Sequence, residues 1–145
     1  MQSQFTSSAD ASILPPMGQE PSAKLRNSTV VFLVGDLAAT ARWYERIGFE
    51  AELFPPGFAI LTRDDVQSFR QHADGYVKPD DPAARHRDAW NVYIETDNVH
   101  ALFDELSNRS EVTIGCGLTR ESHGQIEFDI TDPNGYELVF AQPTE

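Results

Sequence analysis

The chain has 145 residues, 40% of them hydrophobic, and a formal net charge of −12 at pH 7. A chain of that length buries roughly two thirds of its unfolded surface and folds as one domain without staples. The acidic balance argues against a phosphate-binding surface and hence against nucleic acid; it suits a cationic partner, or solubility alone. Cys116 is the single cysteine, so no intramolecular disulfide forms and nothing demands an oxidising compartment. The opening "MQSQFTSSADASILPPMGQE" has neither the basic flank nor the apolar run of a signal peptide, and no stretch reaches the ~20 apolar residues of a membrane span. The expectation is a cytoplasmic protein with no membrane partner.

Residues 1–26 are rich in Ser, Gln, Pro and Ala without a period of 2 or 3.6, and read as a flexible or partner-docked arm. Residues 27–145 form the domain. Its first unit, 28–71, opens with "TVVFLVGD", where the run Thr29 to Val34 predicts a buried strand and Asp36 a helix N-cap. The helix places Leu37, Ala41, Tyr44 and Ile47 on one face, and Gly48 stops it. "FEAELF", "FAILTR" and "VQSF" follow as strands, separated by turns at "PPG" and at Asp64 and Asp65. The order is βαβββ.

A polar, proline-punctuated connector spans 72–88. The second unit, 89–142, repeats strand, polar turn and helix in "WNVYIETDNVHALFDELSNR", with an apolar stripe of Val99, Leu102, Phe103 and Leu106. "EVTIGCGL", "GQIEFDI" and "YELVFAQ" predict three more strands, the last two joined by "DPNG". Aligning Asp36 with Asn98 pairs Thr29 with Asn91, so the chain is an internal duplication with a period of about sixty residues. The predicted fold class is α+β: two βαβββ units whose curved, cavity-enclosing sheet is flanked by helices.

Between residues 28 and 142 the sequence resembles the vicinal oxygen chelate superfamily of glyoxalases, extradiol dioxygenases, fosfomycin-resistance enzymes and bleomycin-binding proteins. The resemblance is most specific in "VVFLVGDLAATARWYERIGF" and in "FDITDPNGYELVF", while "FAILTRDDVQSF" is most similar to the bleomycin-binding branch. It implies that the units form a pocket, often completed across a dimer. It also implies that enzymes of the family hold a divalent metal by His or Gln on the first strand, His on the first strand of the second unit and Glu on the last strand. Those positions here are Thr29, Asn91 and Val139. Two weak oxygen ligands and a side chain without a lone pair do not hold a transition metal, so no metal and no cofactor are expected.

No other residues rebuild such a site. His72 and His86 fall in the connector, His100 in the first turn of the second helix and His123 in a loop, without His-x-His or His-x₃-His spacing. Cys116, between Gly115 and Gly117, reads as a small buried side chain rather than a nucleophile. No catalytic residue is assigned.

Strand parity gives the cavity lining, because alternate residues face opposite sides of a sheet. If Val30, Phe32 and Val34 pack on the helices, Thr29, Val31 and Leu33 face the cavity. The same rule turns Asn91, Tyr93 and Glu95 inward, with Glu127 and Asp129, and then Glu137 and Val139. Carboxylates among apolar and aromatic groups suit a flat cationic ligand, although solvated carboxylates at a rim or interface give the same pattern. The resemblance adds Phe58, on an aromatic position that lines the groove of bleomycin-binding proteins, and Glu127, which matches a glutamate before the final turn. Two groove positions that are Trp in that branch are Asn91 and His123 here; parity turns the adjacent Trp90 away unless its strand starts late. Trp43, in the first helix, is read as core or dimer surface.

The expected function is that of a homodimer sequestering a small cationic or aromatic molecule, such as a basic glycopeptide antibiotic, without catalysis. The alternative is a metal-dependent lyase, isomerase or dioxygenase of the same superfamily with atypical ligands. A third reading makes the duplicated sheet a scaffold for an interaction carried by residues 1–26.

Overall fold

The structure, a computed structural model, describes residues 22–80 and 90–144. Most of the arm and His86 lie outside the described residues.

Unit one runs β1 (Val31–Val34), α1 (Leu37–Arg46), β2 (Glu50–Phe54), β3 (Phe58–Arg63) and β4 (Val66–His72). Its sheet has the order β1-β4-β3-β2, with β1 and β4 parallel. Asp36 caps α1 by accepting the Ala39 N–H at 2.9 Å, and Gly48 turns the chain out of the helix at φ +93°, a conformation that costs a residue without Cβ nothing. β4 continues past Phe69 to His72, so His72 is a strand residue and not part of the connector. The polar letters of "RQH" hid that extension.

Unit two repeats the plan: β5 (Val92–Glu95), α2 (Val99–Ser107), β6 (Thr113–Ile114), β7 (Thr119–Arg120), β8 (Gln125–Thr131) and β9 (Glu137–Pro143). Its sheet has the order β5-β9-β8-β6, with β7 also on β8 and with β5 and β9 parallel. Asn98 caps α2 as Asp36 caps α1, accepting the Ala101 N–H at 3.0 Å. The strand expected across "EVTIGCGL" is only Thr113–Ile114, with β7 following beyond that stretch, because the chain bulges at Gly115 and Cys116 opposite Asp129. Its carboxylate accepts the Cys116 N–H at 3.1 Å, and Gly115 has no room for a Cβ beside it. Cys116 is exposed, which corrects the reading of a buried thiol. Among the described residues no helix is long and apolar enough to cross a membrane.

The helix-bearing sides of both units share one core. Tyr44, Ile47, Phe49 and Leu61 of unit one pack with Val99, Leu106, Phe128, Ile130, Leu138 and Phe140 of unit two. Each such side chain, fully buried, contributes roughly 1.5–3 kcal/mol. Trp43 belongs to this core, 7% exposed, and its indole N–H donates to the Glu111 carbonyl.

A polar seam crosses the same interface. Arg70 of β4 is 1% exposed, and its guanidinium lies 4.9 Å from the Phe32 ring centroid and 5.0 Å from that of Tyr44. It donates to the Tyr44 hydroxyl, which donates to Asp132 at 2.7 Å; Asp132 also accepts the Asn134 and Tyr136 N–H groups of the "DPNG" turn. Burial raises the Asp132 carboxyl above the usual carboxylate range, while these donors and Arg70 pull the other way. Tyr136 closes the seam by stacking on Phe32 at 4.2 Å and donating to the Leu33 carbonyl. At the other end of the interface Arg63 binds both carboxylate oxygens of Glu105, at 3.1 and 3.2 Å.

Candidate functional site

With the helix sides committed to the core, the opposite face of the unit-one sheet is left open, whereas in unit two only Tyr93 and Glu95 are exposed on it and Glu127, Val139 and Ala141 are buried. Parity holds on β1: Val34 is fully buried, whereas Val31 and Leu33 are 55% and 40% exposed and Thr29 is half-buried just before the strand. The register extends this face across the sheet. Val31 pairs with Phe69, Phe69 with Ile60 and Ile60 with Glu52; Leu33 pairs with Gln71, Gln71 with Phe58 and Phe58 with Phe54. Phe58 meets Phe54 in a stacked contact at 6.3 Å and Phe69 edge-on at 5.2 Å. The open face of unit one is thus an aliphatic and aromatic surface, with Glu52 on the edge strand and Gln71 between Leu33 and Phe58.

The open face of unit two is built from the same strand positions and is acidic. Tyr93 lies opposite Val139, which lies opposite Asp129; Glu95 lies opposite Ala141, which lies opposite Glu127. Glu127 is 3% exposed. One of its oxygens accepts the Tyr93 hydroxyl at 2.6 Å and sits 2.7 Å from His123 Nε2. Desolvation of the hydroxyl and its donation to Glu127 hold the Tyr93 phenol well above its usual range, so it remains a donor. Burying a carboxylate requires such partners, because an unpaired charge away from water costs several kcal/mol.

Of the residues expected from the sequence, this geometry gathers Tyr93, Glu127, Asp129 and Val139 on one sheet, with His123 reaching Glu127 from the turn before β8, Glu95 exposed at the end of β5 and Glu137 half-buried at the start of β9. Thr29, Val31, Leu33 and Phe58 lie on the other sheet. Asn91 precedes β5, and its side-chain oxygen accepts the Glu137 N–H at 2.8 Å, so it is spent on holding β9. His100 is exposed in the first turn of α2.

Trp90 falls under the exception to parity, a strand that starts late. β5 begins only at Val92, and the Trp90 ring lies 5.6 Å from that of Tyr93, lining a small hollow with Glu127, Asp129 and Val139. A late strand start frees the residue before it from the alternation, and the polar Asn91 was the signal. Phe54 and Phe69 were missed, since single-strand parity does not say which strands become neighbours.

A family metal does not fit here. Val139 offers no donor, the Asn91 oxygen is engaged, and Thr29 alone is a weak ligand. Among the described residues no group of three or more His, Cys, Asp or Glu side chains is placed to hold an ion.

The model of the glyoxalase/bleomycin resistance protein/dioxygenase superfamily matches residues 27–140. The chain belongs to this superfamily. Among solved structures it is similar to the bleomycin-binding protein of bleomycin-producing Streptomyces verticillus complexed with copper(II)-bleomycin, at 21% identity over 85% of this chain and 99% of that one, TM-score 0.59. A bleomycin resistance determinant encoded on the transposon Tn5 is 21% identical over 82% of this chain and 98% of that one, TM-score 0.64. A superfamily protein from Alicyclobacillus acidocaldarius is 18% identical over 83% and 96%, TM-score 0.66. At these identities the likeness shows the fold, two βαβββ units in an α+β arrangement. No curated protein matches the sequence.

Proposed function

We propose that this protein is a cytoplasmic homodimer that sequesters a flat, cationic, antibiotic-like small molecule without chemistry on it. In this reading the aromatic face of unit one in one copy lies across from the acidic face of unit two in the other, and the ligand sits between them. Phe58 and Phe69 offer stacking surface, worth about 0.5–1.5 kcal/mol per ring pair beyond area burial. Glu127, with Asp129 and Glu95 nearby, offers the negative partner, and a hydrogen bond to a charged group is worth about 1.5–3 kcal/mol.

The observation that carries the reading is the uncovered aromatic face of unit one, an apolar patch of the kind that marks a binding surface, in a chain whose other sheet buries a carboxylate at the matching position. The bleomycin-bound structure that shares the fold supports a small-molecule ligand. The test is a calorimetric titration of chelator-treated protein with metal-free bleomycin and a panel of basic antibiotics, with Trp90 fluorescence as reporter and sedimentation to measure the dimer. Saturable binding at micromolar Kd or tighter, near −8 kcal/mol, is the expected result. A monomer, or no binding across the panel, overturns the proposal.

A further inference from the structure

On the helix side of the two sheets, between the units, lies a cleft of about 350 Å³. Its floor is apolar, formed by Ile47, Phe49, Leu106 and Phe140, and its rim carries Asp64, Asp65, Glu95 and Asp97 beside one cation, Arg63, which is paired with Glu105. Of the residues proposed to face the ligand only Glu95 borders it, so the cleft is a separate feature.

The segment that enters β1 supplies the complementary chemistry. Residues 22–28 are all exposed, and Leu25 is wholly so. Leucine open to water on a chain that has joined no sheet is an apolar group without cover, and it is flanked by two cations, Lys24 and Arg26. The position is decisive. Val31 pairs with Phe69, and Phe69 N–H donates to the Val30 carbonyl, so the same register carried back sets Ser28 opposite Val66 on the edge of the cleft. Three further residues of extended chain, ~10 Å, bring Leu25 within reach of the floor.

We propose that residues 22–28 fold back over the cleft of their own chain, with Leu25 on the apolar floor and Lys24 and Arg26 along the acidic rim. Alternation along an extended segment turns Leu25 to one side and its basic neighbours to the other, where their long stems reach the rim carboxylates. The occupant is the chain's own segment because a tether this short gives an effective concentration in the millimolar range, far above that of a second copy at micromolar protein.

The test is disulfide trapping in the full chain with Cys116→Ser as background. Leu25→Cys is paired with Asp97→Cys on the rim and, as control, with Gln71→Cys at the far end of β4. All three positions are exposed, so the substitutions leave the core alone. In dilute protein under mild oxidation, an intrachain disulfide is expected for the rim pair several-fold faster than for the control. The rate should fall in about 1 M salt, where the charge attraction is screened. Equal rates for the two pairs would show an arm with no preference for the cleft and overturn the proposal. Disulfides between chains in place of intrachain ones would give the cleft to a second copy and overturn it equally. The trap reads the helix side and the antibiotic titration the open faces, so either proposal can fail alone.

Discussion

The two units share a plan to the level of single caps, with Asp36 and Asn98 each accepting the N–H three residues on, yet their open faces have opposite chemistry. Unit one presents Phe54, Phe58 and Phe69; unit two presents Tyr93, Glu127 and Asp129. The helix sides cannot diverge in this way, because they pack together in one core. The two units therefore share their backbone plan and their common core, and differ on the faces turned away from it.

The comparison breaks most severely at the seam that joins the units. Asp132→Ala removes the acceptor of Tyr44 and of two turn amides and leaves Arg70 buried without its carboxylate. We expect a loss of about 3–5 kcal/mol, read as a lower urea midpoint.

A smaller effect separates the faces themselves. Glu127→Gln keeps the shape of the acidic face but removes its buried charge, and should weaken bleomycin binding by roughly tenfold or more, about 1.5–3 kcal/mol, with little change in the urea midpoint. Phe58→Ala should weaken binding from the aromatic side by a smaller factor, about 0.5–1.5 kcal/mol for lost stacking. Calorimetry on both variants decides whether the two faces serve one ligand.

The seam should also respond to alkali. Burial, with a contribution from Tyr76, pushes the Tyr136 phenol up to about 12 from an ordinary 10.0, so the folded state holds the proton more tightly than the unfolded one. The stabilisation is complete below pH 10 and is lost as pH rises from there towards 12, amounting to about 1 kcal/mol by pH 11. Urea unfolding at pH 8 and pH 11 in wild type and Tyr136→Phe isolates it, since the variant lacks this titration.

The smallest effect tests the duplication. Asp36→Ala and Asn98→Ala should each cost about 1 kcal/mol, and a large inequality would mean that the equivalent helices are not held equivalently.

The duplicated plan was readable because its signals are local: the caps, the Gly48 stop, the "DPNG" turn and the helix stripes each lie within a few residues. Strand parity also put Glu127 and Tyr93 on the one face they share in the structure, since the period of 2 needs no partner. What stayed hidden depends on partners distant in sequence. Arg70 reads as an ordinary polar letter in "SFRQH", and only the pairing of β4 with β1 places it beneath Phe32 and beside Asp132. Which way Trp90 turns stayed conditional, because the start of β5 is set by its pairing with β9. The break at Cys116 followed from Asp129 reaching across to it, which no run of residues around the cysteine announces.

The central claim is that unlike faces from two copies make one site, and mixing variants tests it most directly. Phe58→Ala and Glu127→Gln chains, each impaired alone, are exchanged into mixed dimers and titrated with metal-free bleomycin. The account predicts that every mixed dimer recovers one site of wild-type affinity, because one pair of facing sheets then carries neither substitution. If mixing restores no such site, each site lies within a single chain and the account is wrong.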